Sequence, residues 1–114
     1  MAEYMLFMYQ PLEGGPSGEE WAEHYARWQQ FDRDIKEAGA FVDNRGLAGI
    51  DSATTVRVRG GSRDVTDGPF AETKEYLAGY YLIDVDDLDA ALDWAAKIPS
   101  VEYGSVEVRP MWSA

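Results

Sequence analysis

The chain reads as an α+β domain: an antiparallel sheet of split βαβ type, both helices on one face, with a hairpin inserted after the second strand. Three observations lead there. Residues 4–9 form an unbroken apolar run of strand length. Trp21, His24, Trp28, Phe31, Ile35 and Ala38 follow one another at spacings of three and four, the helical period. Residues 78–85 are the strongest strand segment, with Tyr81, Ile83 and Val85 on one face and Tyr80, Leu82 and Asp84 on the other.

Each element has its own punctuation. The first strand, 3–10, is expected to be central and buried on both faces. A loop rich in glycine and proline follows over 11–18, and Ser17 with Glu20 three residues later fits a capping box. The first helix spans 19–38 and stops at Gly39. Residues 40–48 give an irregular second strand. Residues 54–59 alternate, Gly60-Gly61-Ser62 turns, and 63–66 return as the inserted hairpin. The second helix starts at Asp86 or Asp87, puts Leu88, Ala91, Leu92 and Ala95 on its apolar face, and ends before Pro99. Residues 105–110 form the last strand, with Trp112 beyond.

With the helices on one face, the other face carries alternate aromatic and aliphatic side chains too apolar to leave wet. A second sheet is needed. Face-to-face homodimerisation supplies it, and a pocket is expected between the sheets.

Composition narrows the function. A length of 114 residues predicts one domain, 1–114, and 46% apolar residues predict a globular one. The net charge of −11 repels phosphate backbones, so no nucleic-acid partner is expected. The absence of cysteine excludes disulfides, thiol catalysis and thiolate metal sites, and makes a reducing cytoplasm the expected compartment. The apolar run at the start is too short for a signal peptide or a membrane span, so no membrane association is expected. No phosphate loop, nucleophile elbow or metal motif is present, so no cofactor is expected. Gly14-Gly15 runs into Pro16, which has no amide donor, and the acidic cluster at 84–89 has the spacing of a helix start rather than of a calcium loop.

The segment 65–75 is longer and more polar than a hairpin turn requires. Its run Asp67-Gly68-Pro69-Phe70-Ala71-Glu72-Thr73-Lys74-Glu75 resembles the signature of the DGPF domain proteins, a branch of the YCII-related family. The likeness continues through Gly79-Tyr80-Tyr81-Leu82-Ile83, residues 93–96 and residues 105–110. It implies a ferredoxin-like α+β subunit, βαββαβ with an inserted hairpin, in a dimeric α/β barrel. It also implies association of some members with extracytoplasmic-function sigma factors, hence a possible regulatory partner. The wider family pairs a first-helix histidine with an aspartate before a proline. His24-Tyr25-Ala26-Arg27 is similar to the histidine segment, but Ile98 stands before Pro99, and isoleucine cannot do a carboxylate's acid–base work.

The candidate residues each have a structural and a functional reading. His24, the single histidine, is either a hydrogen-bonded helix residue or a general acid/base. Asp67 is a turn residue capping nearby amides, or the group that orients His24. Phe70 is a plug or a pocket wall. Glu72 and Lys74 are a solvated pair, or Lys74 attracts an anionic ligand. Arg57 and Arg59 share a hairpin face and could hold a carboxylate, as could Arg109, though such arginines more often pair with local acids. Of Tyr80 and Tyr81, one packs under a helix and one faces the dimer interior, and Tyr81 is taken as the ligand contact. Three functions follow: a homodimeric small-molecule binder, a cofactor-independent lyase or isomerase using His24 and Asp67, or a protein-interaction module acting on a sigma factor.

Overall fold

A computed structural model describes residues 2–69 and 74–113. Its elements are β1 (Ala2–Pro11), α1 (Glu20–Glu37), β2 (Phe41–Gly46), β3 (Thr54–Arg59), β4 (Ser62–Asp67), β5 (Glu75–Val85), α2 (Leu88–Lys97) and β6 (Ser105–Pro110). Four strands form an antiparallel sheet in the order β2-β5-β1-β6, the ferredoxin-like order, while β3 and β4 pair only with each other.

Register follows from which side chains must be covered. Leu6 lies opposite Tyr81 and Tyr4 opposite Ile83, and this face of the sheet meets the helices. There Leu6, Met8, Tyr81, Ile83 and Val85 join Phe31 and Ile35 of α1 and Ala91 and Ala95 of α2 in one core. The other face carries Met5 and Phe7 opposite Leu82 and Tyr80 of β5, and opposite Arg109 and Glu107 of β6. These apolar side chains are only half-buried, and no helix among the described residues covers them. β1 lies between β5 and β6 and so is central, but it is covered on one face and not on both as expected. β5 starts earlier than the alternation alone indicates, at Glu75. A bulge at Ala78 lets that extension keep pairing with β1.

The ends of α1 differ in how closely they match expectation. At its C-terminus Gly39, at φ 74°, donates to the Lys36 carbonyl and Ala40 to that of Ile35, a complete Schellman motif. At its N-terminus the cap position is Glu19, whose side chain bonds no backbone amide. Ser17 and Glu20 bond each other through their side chains at 3.3 Å, while the Ser17 carbonyl accepts the Glu20 amide, so the pair closes a turn rather than a reciprocal capping box.

The second helix is turned from the expected face. Its buried side is Ala91, Ala95 and the following Ile98, with Trp94 packed beside them against Phe31; Leu88 and Leu92 are exposed. Alanines at the contact let the helix lie close to the sheet, and the large Trp94 fills the space to one side. Asp87 caps this helix, accepting the Ala90 amide at 2.9 Å. Among the described residues no helix is long and apolar enough to cross a membrane.

Candidate functional site

The helical period sets His24 and Trp28 one turn apart on the same side of α1. The Trp28 indole N–H donates to His24 Nε2 at 3.0 Å. A second polar atom reaches that nitrogen from the far end of the chain: the Tyr103 hydroxyl, 3.1 Å away. Tyr103 is delivered by a 3₁₀ turn, Pro99–Glu102, where proline ends α2. The chain then leaves through Gly104, where a Cβ would overlap the Tyr9 carbonyl oxygen. From the opposite side the β1–α1 loop lays Gly15 against the Tyr103 ring, where a Cβ would sit 3.2 Å from the ring edge. Gly15, at φ 86°, thus serves close backbone packing.

These groups wall a cavity of about 370 Å³ between α1, the β1–α1 loop and the 3₁₀ turn. Its polar lining is Glu20, Glu23, Arg27 and Glu102, three carboxylates against one guanidinium. Arg27 grips Glu102 through two bonds of 2.8 and 3.0 Å, which raise the arginine pKa and lower that of the carboxyl. Both partners are well exposed, so the pair ties the turn to α1 more than it stabilises the fold.

His24 is 5% exposed and ringed by Trp21, Trp28 and Tyr103. An indole N–H can only donate, so Nε2 must present its lone pair and the ring proton belongs on Nδ1. Burial lowers the His24 pKa, the Arg27 charge lowers it further, and Glu102 opposes both. Adding a proton at Nε2 would also set it against the Trp28 N–H. His24 is thereby held as a neutral imidazole with one tautomer. Burial raises the Tyr103 pKa, assisted by Tyr76 and opposed by Arg27, so its hydroxyl stays protonated and can donate.

The other sequence-derived candidates lie elsewhere in the chain. Asp67 ends β4, exposed and paired with Thr54, and does not line the His24 cavity. Arg57 faces Asp64 across the hairpin. Arg109 is exposed on β6 opposite Met5, on the uncovered sheet face. Lys74 is exposed, its carbonyl accepting the Leu12 amide. Tyr81 proves to be the tyrosine under the helices: it is 3% exposed, stacks on Trp28, and burial with the Asp32 charge pushes its pKa up to about 12. Tyr80 is the one on the open face, donating to Asp43 at 2.9 Å. Phe70 and Glu72 fall outside the described residues. The sequence reading missed Tyr103, Trp28 as a polar group, and the Arg27–Glu102 pair. Trp28 at four residues from the single histidine was the one local signal; nothing near Tyr103 announces a partner 79 residues away.

Comparison with known proteins identifies the family. The model of the YCII-related domain matches residues 2–114. An uncharacterised protein of Rhizobium meliloti (strain 1021) is 46% identical over 81 residues, 69% of this chain. The match spans 65% of that relative's length. The chain belongs to the YCII-related family.

Proposed function

We propose that this YCII-related domain is a ligand-binding subunit whose cavity beside His24 takes a small neutral or cationic molecule. The observation that carries the reading is the double closure of His24 Nε2 by Trp28 and Tyr103 at the wall of a 370 Å³ cavity. A general base needs a free lone pair within reach of the proton it takes. Here that lone pair is already occupied, and no carboxylate among the described residues bonds the ring. The arrangement favours recognition by fixed dipoles over proton abstraction, and so favours a binder over a His24–Asp67 lyase or isomerase. Three carboxylates against one guanidinium give the lining a negative potential, which attracts amines and repels carboxylates.

The same reading includes a cytoplasmic homodimer. Met5, Phe7, Tyr80 and Leu82 form an uncovered apolar centre on the sheet, bordered by Asp43, Glu107 and Arg109. A second copy seated there would bury that centre and enclose a further space between the sheets.

Thermal-shift titration tests the ligand class, with choline and putrescine as amines and pyruvate and succinate as carboxylates. At ten times its Kd a ligand stabilises by about 1.4 kcal/mol, roughly 6 °C for a chain of this size. The amines are expected to raise Tm, and Glu23→Gln with His24→Ala to abolish the response. A response confined to the carboxylates, or one untouched by both substitutions, would overturn the assignment.

A further inference from the structure

Among the described residues, the β3–β4 ribbon stands outside the four-stranded sheet and its helices. No other strand or helix packs on it extensively among the described residues. It projects from the body: the radius of gyration is 16.3 Å, against about 13 Å for a compact chain of this length. Yet it is built to be ordered. Gly60 and Gly61 take φ of 57° and 78°, the type I′ geometry that suits a two-residue hairpin. At its base the Gly68 amide donates to the Ala53 carbonyl and the Thr55 hydroxyl to the Gly68 carbonyl.

The ribbon is also amphipathic. Val56 lies directly opposite Val65, and Val58 is on the same face opposite Arg63. The three valines are 59, 54 and 60% exposed in the order Val56, Val65, Val58. Arg57, Arg59 and Asp64 take the other face. A lone two-stranded hairpin is marginal in water, and a third layer behind its apolar face is what makes one stable. Charge indicates the nature of that layer. Three arginines against two aspartates give the ribbon a formal charge of +1, which leaves −12 on the rest of a chain whose total is −11. The surface complementary to the ribbon is the body of this protein.

We propose that the β3–β4 ribbon is an arm that packs its valine face on the body of a second copy of this chain, each copy gripping the other about a twofold axis. The inference rests on the homodimer reading above and adds to it a second contact, separate from the sheet face. Arm and body then meet twice per dimer, because an isologous interface repeats every contact. The valine face itself carries Arg63 and Asp67, whose charges balance. The contact therefore combines burial of valines with longer-range attraction between a ribbon of net charge +1 and an acidic body, and it weakens as salt is raised.

Sedimentation velocity over a concentration series tests it, on wild type, on the double variant Val58→Asp/Val65→Asp, and on the sheet-face variant Phe7→Glu. Among the described residues the arm valines are not part of the core, so circular dichroism of the double variant should match wild type. The arm variant is expected to dissociate with a Kd at least tenfold weaker, and Arg59→Glu/Arg63→Glu to weaken it and reverse its salt dependence. A dimer unchanged by the arm variants but broken by Phe7→Glu overturns the arm and keeps the sheet-face dimer. A wild-type monomer at every concentration overturns both, including the case where only an unrelated protein such as a sigma factor binds the ribbon. The chain has no cysteine, so Val58→Cys offers a unique site for a thiol-linked photocrosslinker. Crosslinks between copies, to peptides of β1, β5 or either helix, support the arm. Crosslinks exclusively within one copy overturn it.

Discussion

Replacing Trp28 by Phe tests the reasoning at His24 most directly. The substitution removes the indole N–H that holds Nε2 as an acceptor at 3.0 Å, while keeping an aromatic ring in the helix. A hydrogen bond of this kind contributes about 0.5–1.5 kcal/mol to the form that can accept it, here the neutral imidazole. At about 1.36 kcal/mol per pKa unit, its loss should raise the His24 pKa by roughly 0.4–1.1 units. Burial and the Arg27 charge continue to lower the value in this variant. The assay is a proton NMR titration of the imidazole, free of assignment ambiguity because the chain contains one histidine.

Stability carries the same information with a definite sign. The folded pKa is depressed, so from this group stability is fully present above the unfolded value of 6.5 and is lost as pH falls through the folded pKa. Trp28→Phe should shrink that acid-side loss even though smaller packing against Tyr81 lowers Tm at every pH. A His24 pKa that stays put or falls in this variant would refute the assignment of Trp28 as the donor that fixes the tautomer.

The other expectations concern groups around the same site and its supports. In the same NMR titration Arg27→Gln should raise the His24 pKa and Glu102→Gln should lower it, since the two charges act on the ring in opposite directions. Asp87→Ala removes the side-chain cap of α2 and should cost about 1 kcal/mol, or roughly 4 °C in a thermal melt. Gly104→Ala sets a methyl against the Tyr9 carbonyl where the chain turns from Tyr103 into β6. The strain should cost about 1–3 kcal/mol by chemical denaturation, and a melt like that of wild type would show that the turn has room to yield.

The order and class of the elements are legible in the sequence because they rest on local chemistry. The apolar spacing of α1, the glycine that ends it, the period-two run of β5 and the Gly60-Gly61 turn each act through residues a few positions apart. The boundaries moved where pairing partners decided them, as when β1 extended β5 back to Glu75. Which face of α2 is inward was not local information. Leu88 and Leu92 were equal candidates until the neighbouring Phe31 offered Trp94 a partner and the sheet demanded small residues at the contact.

The candidate site divides along the same line. His24 stood out by being the single histidine on an apolar stripe, and its neighbour Trp28 follows from helical spacing. Asp67 ends β4 on the ribbon and is not among the residues lining the His24 cavity, a placement set by the direction the hairpin takes. The choice between Tyr80 and Tyr81 needed the helices in place, since alternation assigns two faces without saying which one is covered. Backbone preference and side-chain period are properties of short segments, so the elements, their order and the family are legible in the residues alone. The meeting of Tyr103 with His24 and the exposure of three valines depend on where segments far apart in the chain come to rest, and so they emerge with the folded chain.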